Sequence, residues 1–275
     1  MRSCPICCNR QHLVLRGTLP VTTVPKYSRD RFDYIECPAC SAIYISPLPT
    51  PDDFRAMYAN TSELFVTPTY RDKNRVEMVE KYFVNRLKAV LSKARRDVGS
   101  EIRVLEIGAG LAWMCRAAKL LNPKSLTHAQ DIGNAIPEGC VGVDEYYFGE
   151  IQDLKFKFGK SYDVISLTHV IEHLPDPVRD LTEIGGLLAP SGIVFVTAPH
   201  RPINWTANND FVSAWQNYSL NHVPAHLTYF AKNTMIAAAG RSNLELIFWH
   251  VGDQTGAYEA WLSRLTPEQP GISSQ

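Results

Sequence analysis

Hydrophobic and polar positions change period several times along the chain, and the changes divide it. Near the amino end, Leu13-Val14-Leu15, Phe32-Asp33-Tyr34-Ile35 and Ile43-Tyr44-Ile45 carry the short alternations of half-buried strands and predict a small β ribbon. A proline-rich link, Ser46-Pro47-Leu48-Pro49-Thr50-Pro51, follows. Thr50 is placed to cap a short helix running through Phe54, Met57 and Tyr58, with Pro51 in its first turn; residues 60–69 break the pattern. From about residue 70 to 96 the apolar positions Val76, Val79, Phe83, Leu87, Val90, Leu91 and Ala94 recur at spacings of three and four, one face of a long helix. Its basic end, Lys93, Arg95 and Arg96, reads as a solvated carboxyl terminus favoured by the helix dipole.

Beyond residue 100 the pattern becomes apolar runs separated by helical stretches. Strands are expected at 103–107, 126–130, 146–149, 163–167, 193–198 and 244–249, with a helix over 231–241. Runs apolar on both faces belong in a covered parallel sheet. The fold class is therefore α/β, a Rossmann-like doubly wound, mostly parallel sheet. Residues 257–265 suit either a short helix or a final antiparallel strand, and 266–275 read as a tail. The chain divides into a β module (1–50), a helical linker (51–100), the α/β domain (101–252) and a carboxyl segment (253–275).

A length of 275 residues accommodates one large domain and a small appendage. Lys and Arg number 28, and so do Asp and Glu, so no net field draws the chain to nucleic acid or to an anionic membrane. Met1-Arg2 leads at once into Ser3-Cys4-Pro5, and no run approaches the ~18 apolar residues of a membrane span, so a cytoplasmic protein is expected. The oligomeric state is open.

Four of the seven cysteines form two pairs, Cys4-Pro-Ile-Cys7 and Cys37-Pro-Ala-Cys40, each in a turn of the β ribbon. Two such knuckles can set four thiolates tetrahedrally around zinc, and a Cys4 site without an open position is structural. A redox dithiol or an unoccupied remnant is the alternative. Cys8, adjacent to Cys7, is expected to point away.

The chemistry centres on Val104-Leu105-Glu106-Ile107-Gly108-Ala109-Gly110, a buried strand ending in a glycine turn that lets a ligand approach the backbone, followed by a helix. A dinucleotide site would carry a third glycine at the position of Trp113, which argues against NAD or FAD and for a nucleoside without phosphates. Asp131 ends the next strand about 20 residues on, where a carboxylate receives ribose hydroxyls.

Together, Glu106-x-Gly108-x-Gly110, Asp131, the 149–156 segment and His169-Val-Ile-Glu172-His173-Leu-Pro-Asp-Pro177 resemble class I S-adenosylmethionine-dependent methyltransferases, in particular the group that includes ubiquinone-type O-methyltransferases and sugar methyltransferases. The resemblance spans roughly residues 101–250, and sugar enzymes of the group also carry an amino-terminal knuckle module. It implies that Gly108, Ala109 and Gly110 receive the amino-acid end of the cofactor, oriented by Glu106, and that Asp131 takes the ribose. It further implies that Glu150 and Ile151 meet the adenine, while Thr168 and His169 lie beside the cofactor. The family more often has Asp at the position of Glu150. The helices ahead of the first strand would form part of the substrate wall, with Tyr58 and Tyr70 as candidate lids, although core or surface positions suit them better.

A hydroxyl acceptor must lose a proton, a task suited to imidazole near neutral pH. His173, after Glu172, and His226, in a segment resembling the family's His-x-x-Tyr-Phe, are the candidate bases; either could instead only secure its loop. His200 reads as a substrate-loop residue. His169-x-x-Glu172-His173 with His226 also resembles the Glu-x-x-Glu-His and distal His with which certain RNA 2′-O-methyltransferases hold a divalent ion. His169 replaces the first carboxylate, which favours zinc, iron or no metal over magnesium. Residues 200–223, with Trp205, Phe211, Trp215 and Tyr218, read as a lid over a sugar or planar acceptor, or as ordinary packing on the sheet. The expected function is methyl transfer to oxygen on a small molecule such as a sugar, glycan precursor or secondary metabolite. An RNA methyltransferase gripping its substrate by the zinc ribbon, and a scaffold with a degenerate fold, are the alternatives.

Overall fold

A computed structural model describes residues 2–22, 27–58, 71–159, 161–201, 222–252 and 256–265. Tyr70 and the aromatics Trp205, Phe211, Trp215 and Tyr218 lie outside these residues, as does the 266–275 tail.

Two sheets organise the molecule. The amino-terminal one contains β1 (Val14–Pro20), β2 (Arg31–Glu36) and β3 (Ile43–Ser46), paired antiparallel in that order as the alternation predicts. Its fourth strand, β9 (Thr228–Tyr229), comes from the far end of the chain and pairs with β3 through Ile43 and Tyr44. The module and the α/β domain therefore share a sheet across the boundary read at residue 50. Next, α1 (Pro51–Tyr58) opens with a reciprocal cap: Asp53 N–H donates to Thr50 Oγ1 at 3.2 Å and Thr50 N–H to Asp53 Oδ2 at 2.8 Å.

The helix read over 70–96 is α2 (Lys73–Lys93), capped by Asp72, whose side chain accepts from the N–H groups of Asn74 and Arg75. It buries Phe83, Leu87, Val90 and Leu91, four positions of the predicted stripe. Just past its end, Arg96 is not simply solvated: its guanidinium pairs with Asp163.

The large sheet has the order β10 (Leu244–Val251), β11 (Ala257–Arg264), β8 (Leu188–Pro199), β7 (Tyr162–Thr168), β4 (Arg103–Ile107), β5 (Leu126–Asp131), β6 (Glu145–Phe148). Among the described strands of this sheet β11 runs against the rest, which are parallel to one another. Of the two readings of 257–265 the strand holds, and it lies inside the sheet. Alternate residues of the central strands serve opposite faces. Leu105, Ile107 and Ile165 pack with α4 (Leu154–Lys157), α5 (Pro177–Leu187), α6 (Lys232–Arg241) and the cysteine module; Val104 and Val164 pack with α2 and α3 (Trp113–Leu121). From β4 the chain winds one way through β5 and β6, then returns to β7 and β8 on the other side. The strand order thus reverses between β4 and β7, and ligands of open α/β sheets bind at the carboxyl ends of such a pair. Among the described residues no helix is long and apolar enough to cross a membrane.

Candidate active site

The turn after β4 is built from its own strand. Glu106 is 2% exposed, and its Oε2 accepts from Met114 N–H at 2.8 Å and Cys115 N–H at 3.1 Å. These are first-turn amides of α3, whose N-cap residue Ala112 sits at φ 54° and offers no side-chain cap. Burial pushes the Glu106 carboxyl up to about 7 in spite of those bonds. Gly108 is exposed at φ +58°, and a Cβ there would fall 2.5 Å from Val170 Cγ2.

The neighbouring strands are tied to this turn. Gly110 N–H donates to Asp131 Oδ2 at 3.1 Å, Gly133 N–H to Asp131 Oδ1 at 3.1 Å, and Ala109 N–H to the Gln130 carbonyl at 2.9 Å. Gln130 was not singled out from the sequence. Its Oε1 accepts from Gly108 N–H at 3.3 Å while its Nε2 donates to Gly149 O at 2.6 Å, so one amide joins the turn to the segment after β6. The available signal was an amide in an otherwise buried strand. Tyr146, also missed, donates to Gly110 O at 3.2 Å. Beyond Gly149, Glu150 is exposed and Ile151 is buried. Gly108, Ala109, Gly110, Asp131, Glu150 and Ile151 thus gather at one end of β4, β5 and β6. Glu106 lies beneath them, with one carboxylate oxygen committed to α3.

A second cluster follows β7. Thr168 is half-buried, and His169 is exposed at φ +55°, an uncommon backbone for a non-glycine residue. Glu172 is fully buried. Its Oε1 lies 3.4 Å from His169 Nδ1, 3.8 Å from His173 Nε2 and 4.0 Å from His226 Nε2. Burial alone would raise this carboxyl, but the surrounding imidazoles pull it to about 2. Reciprocally, burial disfavours the His169 cation, Glu172 outweighs it, and the His169 pKa is raised. Neither Glu172 oxygen has a hydrogen-bond partner among the described residues.

His173 Nδ1 donates to Ala225 O at 2.8 Å, which leaves Nε2 facing the carboxylate. His226 is 3% exposed, with Nδ1 3.1 Å from Tyr229 Oη. Its ring meets that of His173 edge-on at 4.8 Å, and Tyr58 approaches His173 from α1 at 6.5 Å. The two candidate bases therefore belong to one cluster, and His169, expected beside the cofactor, is turned toward Glu172. His200 stands apart, its ring meeting Trp249.

The four knuckle cysteines also converge. Cys4 and Cys40 sulfurs are 3.5 Å apart, as are those of Cys7 and Cys37, and all four lie within 4.8 Å of one another. Tetrahedral zinc with ~2.3 Å bonds places sulfurs about 3.8 Å apart, so the donor set fits. Cys8 is turned outward at φ 59°, its sulfur 2.9 Å from Arg241 Nη1.

A family model described as a methyltransferase domain matches residues 78–247. The ubiquinone biosynthesis O-methyltransferase of Saccharophagus degradans is 27% identical over 126 residues, covering 43% of this chain and 52% of the relative. That of Xanthomonas campestris pv. campestris is 24% identical over 112 residues, 41% of this chain and 39% of the relative. The chain spans about half the length, or less, of these curated relatives. A solved structure assigned as an O-methyltransferase, from Nostoc punctiforme PCC 73102, superposes with a TM-score of 0.51 at 16% identity, covering 67% of this chain and 56% of that one, a likeness of fold. The match over 78–247 includes the glycine turn, Asp131 and the histidine cluster, and with it the chain belongs to the methyltransferase-domain family.

Proposed function

We propose that the protein methylates an oxygen of a small molecule, such as a sugar, a glycan precursor or a secondary metabolite, with His173 as general base. S-adenosylmethionine, when bound, would supply an electrophilic methyl group for in-line attack by the acceptor oxygen, with S-adenosylhomocysteine as the leaving group and the hydroxyl proton passing to the base. Gly108, Ala109 and Gly110 would hold its amino-acid end, Asp131 its ribose, and Glu150 and Ile151 its adenine. An exposed turn that leaves no room for a Cβ at Gly108 fits a ligand resting on backbone.

The observation that carries the reading is the His173–Glu172 pair. With Nδ1–H held by Ala225 O, His173 takes the acceptor proton at Nε2, and the Glu172 carboxylate 3.8 Å away stabilises the resulting cation. Because Glu172 stays ionised to about pH 2, that support persists across the neutral range. His226, more deeply buried, encloses the same carboxylate from the other side.

An acceptor screen beginning with nucleotide sugars, read by release of S-adenosylhomocysteine, tests this. Once turnover is found, His173→Gln should lower it by ~10²- to 10⁴-fold, the usual worth of a general base, with cofactor affinity unchanged. Undiminished turnover would remove His173 from the role.

The unbonded Glu172 oxygens favour a second reading, a divalent transition metal held by Glu172, His173 and His226. Metal analysis separates the two: one equivalent, lost with the Cys4 set alone, leaves the base; a second equivalent lost in Glu172→Gln establishes the metal.

A further inference from the structure

The cysteine module lies against the histidine cluster through one segment, residues 223–229. On one side this segment meets the α/β domain, where Leu227 N–H donates to Glu172 O at 2.7 Å and Ala225 O receives His173 Nδ1–H. On the other side it is bonded to the module. Tyr34 Oη donates to the His226 carbonyl at 3.2 Å, Ile45 N–H to the Leu227 carbonyl at 2.9 Å, and Thr22 N–H to the Val223 carbonyl at 3.1 Å, while Val223 N–H returns a bond to Thr22 Oγ1 at 2.9 Å. Val223, Leu227 and Tyr229 complete the apolar core of the small sheet with Leu19, Phe32, Tyr34, Ile43 and Ile45. These bonds from Tyr34, Ile45 and Thr22, with the pairing of β9 on β3, hold the segment from which His226 faces Glu172.

We propose that the module is a positioning element of the methyltransferase site, and that Tyr34 acts through the His226 backbone to hold the histidine–glutamate cluster in register. This rests on the reading of that cluster as the proton-handling part of the site. Tyr34 is fully buried and its chain is 192 positions away from His226 in sequence, so only the fold joins them. Removing its hydroxyl takes that donor from the His226 carbonyl, and the bonds at Val223 and Leu227 on either side must then hold the segment. Among the described residues the glycine turn and Asp131 share no hydrogen bond with the module, so cofactor affinity should be independent of Tyr34. Side-chain ties elsewhere between the module and the rest of the chain, among them Thr234 Oγ1 to Cys40 O at 2.7 Å, Arg241 Nη1 to Ile6 O at 2.7 Å and Arg201 Nη1 to Glu36 Oε1 at 3.1 Å, involve none of the clustered histidines.

Tyr34→Phe tests this in the full chain, with Tyr44→Phe as its control. Tyr44 is equally buried in the same module but donates to Arg2 O at 3.0 Å, away from the cluster. In Tyr34→Phe the imidazole signals of His226 and His173 should move in ¹H–¹⁵N spectra, and the Leu227 amide should exchange at least tenfold faster. Affinity for S-adenosylhomocysteine should stay within twofold. Tyr44→Phe should change none of these. Thr22→Val, which removes the hydroxyl that accepts from Val223 N–H, should move the same signals by a smaller amount. Unmoved histidine signals in Tyr34→Phe would overturn the proposal, as would equal changes in Tyr44→Phe, which would report general loosening. Failure of the parent to bind S-adenosylhomocysteine would instead strike the methyltransferase reading, and the ring and amide signals would still decide the positioning role.

Discussion

Gly108 offers a quantitative test of how the turn after β4 is built. Its φ of +58° costs an alanine roughly 1–2 kcal/mol, and the added Cβ would lie 2.5 Å from Val170 Cγ2 and 3.3 Å from Cγ1. Overpacking of that kind costs about 1–3 kcal/mol, so Gly108→Ala should destabilise the fold by about 2–5 kcal/mol in total. Val170 Cβ, at 3.5 Å, is in ordinary contact. Val170→Ala therefore removes the collision and leaves the backbone cost. Urea unfolding of the parent, both single variants and the double variant forms a thermodynamic cycle. The double variant should recover about 1–3 kcal/mol relative to the sum of the singles. A coupling below ~0.5 kcal/mol would refute the claim that the turn and the loop after β7 are in contact.

Further predictions concern charge and metal. Glu106 binds its proton more tightly folded than unfolded, so its contribution to stability is complete below pH 4.5 and is lost as pH rises through about 7. That amounts to on the order of 3 kcal/mol, and Glu106→Gln, which keeps an acceptor for α3, should flatten the slope in urea unfolding at pH 5 and pH 8. His226→Gln should reduce turnover less than His173→Gln, because its ring is the more buried; a larger loss from His226 would exchange their roles. Cys37→Ser should lower the zinc content measured by mass spectrometry of the native protein, and full zinc retention would contradict a four-thiolate site.

Much of the fold was legible because it rests on local pattern. The three-and-four stripe of α2 and the both-faces-apolar strands announce their own surroundings, and the glycines of the first turn mark a backbone no other residue suits. What the sequence did not reveal is contact between distant segments. Nothing near Gln130 discloses that its amide joins Gly108 to Gly149, and nothing near Tyr34 points to His226. The ambiguity of 257–265 had a similar cause, since a strand completed by partners on both sides carries no sign of them. His169 was read both beside the cofactor and in one constellation with Glu172, and its Nδ1 lies 3.4 Å from Glu172 Oε1.

The central claim is that the carboxyl ends of β4, β5 and β6 hold S-adenosylmethionine, and calorimetric titration of its product, S-adenosylhomocysteine, tests it most directly. The parent should bind with one-to-one stoichiometry, and Asp131→Asn, folded by circular dichroism, should bind at least tenfold more weakly, ~1.4 kcal/mol. No binding by the well-folded parent, or equal affinity in the variant, would contradict the assignment.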